Sequence, residues 1–293
     1  MEERLGTFPY SNYGIAEILD GKVSWYAASQ QGFILAKSEA FRFGANLPLF
    51  AHEAAHAWWG NLLGTEGPGS ILCSESLAQY GAVLAIESIE GPQAATEFLM
   101  SSRRGYSSEQ CARGYFRMAK KGQDMPLSKL DGGGWQHTLS DAKGHWVYHM
   151  LRRRIGDEVF FATLRGLIAR YAHDDLSLDE LRAAFLEAAP RSTRLERFFA
   201  QWLDRAGAPS LTAEWEATDD GQVVLTVSQV QEGEPYDLDL ELDLLTSEGP
   251  QRFALELRQR HARLELSVAG EVTGVLLDPD QRLLIWKSQY DKH

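Results

Sequence analysis

Cysteine is nearly absent: the chain has two in 293 residues, Cys73 and Cys111. That excludes a disulfide framework and a cysteine-rich zinc site, and it leaves both thiols as small buried apolar groups. Positive charge is also scarce. Lys plus Arg total 29 against 41 for Asp plus Glu, a net charge of −12. Polyanion binding needs a basic footprint, so no nucleic-acid partner is expected, and the acidity itself serves solubility. No run of 18 apolar residues occurs, so no membrane-spanning segment is expected. The opening "MEERLGTFPYSNYG" has no apolar signal core, which makes the cytoplasm the expected compartment for the chain as it stands. Internal repeats and low-complexity segments are lacking too. What remains is an ordinary globular composition, 44% hydrophobic and 24% charged, long enough for one large domain or two ordinary ones.

The periodicity changes twice along the chain. In the first fifty residues "YGIAEIL" and "GFILAKS" read as strands, separated by the polar "DGKVSWYAASQQ". From Leu47 to about Leu63 the spacing predicts a helix, closed by Gly64 and the Gly/Pro turn after it. A second helix is expected from near Cys73. Further helical stretches follow, among them "AATEFLMSSRRGY", "SDAKGHWVYHMLRRRI" with Ser140 or Asp141 as N-cap, and "RLERFFAQWLDRAG". Near Gly207 the period becomes two. "QVVLTVSQV", "YDLDLELDLLT", "QRFALELRQ" and "ARLELSVAG" alternate apolar and polar residues, as an antiparallel sheet with one wet face requires. The expectation is a mainly helical domain over 1–207 followed by a small β-sandwich over 208–293.

The chemistry concentrates in "FAHEAAHAWW" at residues 50–59. On a helix, His52 and His56 are one turn apart and share a face, where two imidazoles can hold one metal ion. In the H-E-x-x-H pattern the Glu, here Glu53, is a general base rather than a ligand. The alternative is two half-buried histidines on an amphipathic helix. Catalytic zinc takes three protein ligands and leaves a position for water. Glu75 lies 19 positions after His56, far enough for a turn and a returning helix that faces it towards the histidines. His52, His56 and Glu75 with one zinc ion per chain form the expected set.

"HEAAHAWWGN" followed by Glu75 at this distance resembles the gluzincin aminopeptidases, the aminopeptidase N-like family. "ESLAQY" is close to the stretch that follows the ligand Glu there, with Ser76 in place of a Gly. "EERLGTFPY", "AKGHWVYHMLRRRIGDEVFF" and "FFAQWLDRAGAPSLTAEW" extend the likeness over nearly the whole chain. The resemblance implies an α+β fold, a thermolysin-like zinc-peptidase domain followed by an antiparallel β-sandwich. It also implies a peptide substrate, with a water activated beside zinc and Glu53 moving its proton to the leaving amine. Family members usually carry a large β-domain before the catalytic one. Here that domain is expected to be missing, or supplied by the rest of a longer protein or a partner chain.

Three departures from the family stand out. The strand that reads a substrate's free amino terminus matches "YAASQQGF" best, which puts Ser29 where a carboxylate is expected and Gln30 where an Asn is. Neither can neutralise an ammonium. Many members carry a Glu seven residues after the ligand Glu to support a histidine; here Ala82 stands there. The oxyanion-stabilising Tyr sits two residues before the Lys-Gly pair, and here Asp141 precedes Lys143-Gly144. An ionised Asp141 cannot donate, so a neighbouring donor is sought. His145 lies four residues on and is the candidate, held as an imidazolium by Asp141; the alternative is a capping Asp with a packed His. Tyr148 and His149 are a turn further away.

Other conspicuous residues have plain explanations. Trp58 and Trp59 are expected in the core. Arg103, Arg104, Arg113, Arg117, Lys120 and Lys121 make a solvated helix face, and His173, His261 and His293 are incidental. The leading reading is a zinc metallopeptidase, aminopeptidase-like with altered recognition of the peptide's amino end. The other is a zinc-bound but catalytically weak domain serving in protein interaction within a larger assembly. Hydrolysis of a non-peptide amide or ester is a third.

Overall fold

The computed structural model describes residues 1–23, 25–42, 44, 46–101, 109–218 and 222–291. Arg103, Arg104 and His293 lie outside the described residues. The chain divides into two compact units, Met1–Ala206 and Gly207–His293.

The first unit opens with a short helix, α1 (Glu2–Leu5), and a three-stranded sheet of β1 (Gly14–Ile18), β2 (Ala27–Gln30) and β3 (Phe33–Lys37). Its order is β1-β3-β2, with β1 parallel and β2 antiparallel to β3. β2 lies within the segment read above as a polar separator. Its residues are small or polar and carry no apolar alternation, so hydrophobic periodicity does not mark this edge strand, whereas the family resemblance of "YAASQQGF" does. Helix α2 (Leu47–Ala55) starts where Asn46 accepts a hydrogen bond from the Leu49 amide at 3.2 Å, with Pro48 in the first turn. It ends at Ala55, eight residues before the expected Leu63, because the chain from His56 to Leu63 turns back on itself through a Trp59–Leu63 bridge. Strand β4 (Gly64–Glu66) follows.

Leu72–Ser76 forms a π-helical turn that runs directly into α3 (Leu77–Glu90). All of α3 from Leu77 to Ile86 is buried. Gly81 lets α2 approach it closely, since a Cβ there would stand 2.4 Å from that of Ala55. After α4 (Pro92–Met100) and α5 (Ala112–Lys120) comes a second interrupted helix. It consists of α6 (Trp135–Leu139), a π turn over Ser140–Gly144 and α7 (His145–Ile155). The expected N-cap at Ser140 or Asp141 is therefore corrected: the helix already begins at Trp135, and both residues sit in its interior. Arg152 on α7 fastens this helix to α3 through Glu87, at 2.7 Å. Helix α8 (Asp157–Tyr171), strand β5 (Asp175–Ser177) paired parallel to β4, α9 (Leu178–Ala188) and α10 (Leu195–Trp202) complete the unit. Trp58, Trp59, Trp146 and Trp202 are fully buried in it, and so are Cys73 and Cys111.

The second unit holds two antiparallel sheets. One has the order β10-β7-β6, from β6 (Leu211–Ala217), β7 (Gln222–Gln229) and β10 (His261–Ser267). The other has the order β11-β8-β9, from β8 (Leu238–Thr246), β9 (Gly249–Leu257) and β11 (Val272–Leu277). Val223, Leu225 and Val227 on β7, and Leu238, Leu240, Leu242 and Leu244 on β8, are the buried side chains of the period-two pattern. No helix among the described residues is long and apolar enough to cross a membrane.

Candidate metal centre

His52 lies in the last turn of α2, and His56 is the residue that closes the helix. Each imidazole is oriented by its Nδ1. Gln79 Oε1 on α3 accepts from His52 Nδ1 at 2.9 Å, and the Trp59 carbonyl accepts from His56 Nδ1 at 2.8 Å. Both Nε2 lone pairs are thereby freed and face each other at 3.1 Å. Glu75, in the first π turn, brings Oε2 to 3.5 Å from His52 Nε2 and 3.4 Å from His56 Nε2. Donors bonded to tetrahedral zinc at 2.0–2.1 Å stand roughly 3.3 Å apart, so this donor set fits zinc without rearrangement. Burial pulls His52 down, but its hydrogen bond to Glu75 and the carboxylates of Asp141, Glu53 and Glu75 carry it up to about 9. Burial would raise Glu75, yet its hydrogen bonds to His52 and His56 hold it well below the usual carboxylate range.

The second π turn packs against the first and carries Asp141. Gly144 sits so close to the first turn that a Cβ would meet Ser76 Oγ at 2.1 Å. A π turn leaves carbonyls out of the regular helical ladder, and side chains meet them here. Ser76 Oγ donates to the Ser140 carbonyl at 2.7 Å, Tyr148 OH to the Leu72 carbonyl at 2.8 Å, and His145 Nδ1 to the Asp141 carbonyl. This corrects the expected role of His145. Its partner is the backbone of Asp141, not the carboxylate. It is fully buried, and burial pulls it down to about 4, so it is neutral rather than an imidazolium. Nor is it among the residues lining the cavity described below.

The Asp141 carboxylate, 0% exposed, points towards the cluster. Oδ2 accepts from Gln110 Nε2 at 2.6 Å and lies 3.7 Å from His137 Nε2. His137 also reaches Glu75 Oε2 at 3.8 Å. Burial pushes the Asp141 carboxyl up to about 6.

In front of the cluster is a cavity of about 1000 Å³, lined by His52, Glu53, His56, Glu75 and His137 on one side. Trp25, Tyr26, Ala27, Ala28 and Ser29 line it from the sheet. Ser29 Oγ accepts from Asn61 Nδ2 at 3.0 Å, whereas Gln30 is exposed and not part of the lining. Tyr13 OH donates to the Glu53 carbonyl at 3.3 Å. Glu39, exposed after β3, is a further carboxylate on the cavity wall.

Residues 36–202 match the model of the peptidase family M1 domain. The chain belongs to family M1. Aminopeptidase N of Streptomyces lividans is 28% identical over 238 residues, 76% of this chain and 26% of that protein. Aminopeptidase O of Homo sapiens is 24% identical over 230 residues, 70% of this chain and 28% of that protein. An M1 zinc metallopeptidase of Deinococcus radiodurans, solved as a mutant bound to a Tyr-Ser-Ala substrate, shares the fold. Its TM-score is 0.52 at 18% identity, covering 69% of this chain and 41% of that one. The chain thus spans about a quarter of the length of the two aminopeptidases.

Within this M1 domain, support for His52 is present despite Ala82. Gln79, three residues nearer to Glu75, supplies it, and its own Nε2 donates to the Gln110 carbonyl at 3.4 Å. Ser76 in place of the family Gly is explained by its bond to the Ser140 carbonyl. Sequence reasoning missed Gln79, Gln110 and His137. For His137 the signal was present. It stands four residues before Asp141, as His52 does before His56, but the helix was taken to start after it.

Proposed function

We propose that this M1 domain is a zinc metallopeptidase that hydrolyses peptide bonds, aminopeptidase-like but with altered reading of the substrate's amino end. The observation that carries the reading is the convergence of His52, His56 and Glu75 at donor spacing on the wall of a cavity of about 1000 Å³ that also presents Glu53. The two histidines and Glu75 would hold the zinc, which when bound supplies a Lewis acid and lowers the pKa of water. Glu53 follows His52 directly on α2 and lines the same cavity, so it can take a proton from water and return it to the leaving amine. Edge strand β2 exposes its outer side to an extended peptide, which main-chain pairing can hold in register. Ser29 offers a hydroxyl where a carboxylate would neutralise an ammonium, so selection for a free amino terminus is weak.

Glu53→Gln tests the chemistry. It removes a base and leaves the ligands, so zinc content should be unchanged while hydrolysis of a mixed peptide library falls 10²–10⁴-fold. Retained hydrolysis would remove Glu53 from the mechanism. Acetylating the peptide's amino end should cost less than about tenfold, or 1.4 kcal/mol. A hundredfold loss would mean that another carboxylate reads the amine, and Glu39 is then the residue to change.

A further inference from the structure

The cluster does not end at three ligands. Glu75, His137 and Asp141 form a second group whose ligand atoms all lie within 4.8 Å of one another. His137 Nε2 is 3.8 Å from Glu75 Oε2 and 3.7 Å from Asp141 Oδ2. Two metal–donor bonds of about 2.1–2.2 Å reach across such a gap at an angle of roughly 120°. We infer that Glu75, His137 and Asp141 bind a second divalent cation of the zinc class, with Glu75 bridging it to the ion on His52 and His56. The inference rests on the reading of His52, His56 and Glu75 as a zinc site.

Three observations carry it. The first is the orphaned oxygen. Asp141 is wholly buried, and its Oδ1 has no hydrogen-bond partner. Its Oδ2 is met by a neutral amide, Gln110, and faces His137 beyond hydrogen-bond distance. Lys143, two residues along, pairs with Asp124 instead. A buried carboxylate without a close cation costs several kcal/mol, and a metal ion is one of the few partners that repays it. The second is access. His137 is 47% exposed and lines the cavity beside Glu75, so an ion can reach the group from solvent. The third is the donor set. One imidazole and two carboxylates suit zinc or manganese, and two ions sharing a carboxylate stand about 3.5–4 Å apart, within the reach of Glu75.

A second cation changes what Asp141 means. Where the family resemblance calls for a hydroxyl donor, a bare carboxylate sets negative charge beside the reacting carbonyl. The same carboxylate holding a divalent ion presents net positive charge there. Asp141 and His137 then serve as ligands, and the missing donor is replaced rather than lost.

The test is zinc stoichiometry. The full chain, stripped of metal and titrated with zinc, is followed by calorimetry and by metal analysis after dialysis. Cobalt replaces zinc in a parallel series read by visible absorption. The wild type should take up two ions per chain. His137→Ala and Asp141→Asn should each take up one, and the second cobalt band should vanish. Glu75→Gln should lose both. His137 is half exposed, so His137→Ala leaves the core intact and carries the test if Asp141→Asn fails to fold. One ion in the wild type, or two that persist in His137→Ala, overturns the second site. If instead the wild type takes up no ion, or His52→Ala leaves its uptake unchanged, the first site itself is misread.

Discussion

Glu75 and Asp141 occupy the same kind of backbone turn, are both largely removed from solvent and share His137 as a neighbour, yet they are driven in opposite directions. Burial would raise both. At Glu75 two short imidazole contacts win, and the carboxyl is held well below its ordinary range. At Asp141 the nearest imidazole stands off at 3.7 Å, the Glu75 charge opposes ionisation, and the carboxyl rises to about 6. Depth does not decide the charge of a buried acid; the partners within about 3.5 Å do. On the proposed reading one metal completes the Glu75 turn, whereas Asp141 Oδ1 is still without a hydrogen-bond partner.

This contrast can be broken first through stability. In the metal-free protein the folded chain holds the Asp141 proton up to about pH 6, whereas an unperturbed Asp releases it near 3.8. Between those values the folded state binds more protons, so stability falls as pH rises, and the penalty is complete above about 6. Asparagine carries no such penalty. Asp141→Asn should therefore gain roughly 2–3 kcal/mol on the wild type on going from about pH 4 to about pH 7.5. Urea unfolding of both metal-free proteins at the two pH values is the measurement. An equal gap at both would show that Asp141 is not strained by its charge. Zinc in excess should close most of the difference.

The next effect belongs to the Glu75 side. Gln79 fixes the ring of His52 by accepting from Nδ1. Gln79→Ala should weaken the first zinc equivalent 10–100-fold, the usual cost of losing such an orienting partner. Gln110→Ala removes the side-chain amide that donates to the Asp141 carboxylate. It should leave the first equivalent within about threefold. Equal losses in both variants would mean that the two turns act as one unit, and the contrast drawn above would fail.

The sequence made the two turns unequally legible, for physical reasons. His52, His56 and Glu75 are readable because helical spacing puts the histidines on one face and a short Gly/Pro turn limits where the next helix can go. The alternating strands after Gly207 are readable because a half-buried sheet imposes period two. The π turns are not readable. A single extra residue inside a helix leaves no mark in apolar spacing, so the helix was taken to start at Ser140 or Asp141, and α6 with His137 fell outside it. Gln79 is not legible because the family resemblance points to a carboxylate at the Ala82 position, whereas any acceptor in reach of Nδ1 serves. The end of α2 at Ala55 was missed because Trp58, Trp59, Leu62 and Leu63 continue the apolar pattern while the backbone turns. Strand β2 is legible through the family resemblance of "YAASQQGF" and not through hydrophobic patterning, because an edge strand facing a cavity need not be hydrophobic.

The smallest expected effect tests whether the turns brace each other. Ser76 is fully buried, and its hydroxyl donates across the helix pair to the Ser140 carbonyl at 2.7 Å. Ser140 Oγ cannot replace it, because it donates to the His137 carbonyl at 2.7 Å. Ser76→Ala removes one hydroxyl and keeps the Cβ that packs against Gly144. The carbonyl retains its second lone pair for the backbone, so the cost is one hydrogen bond, about 1 kcal/mol. The geometry places that loss directly beside Glu75 on one turn and Asp141 on the other. If the bond is a brace between the turns, amide hydrogen exchange should quicken at 72–76 and 140–144 together, by about fivefold for that free energy, while exchange in the β-sheets stays unchanged. Faster exchange confined to 72–76 would mean that each turn stands alone. In that case the opposite behaviour of Glu75 and Asp141 would reflect two independent sites that happen to share a wall.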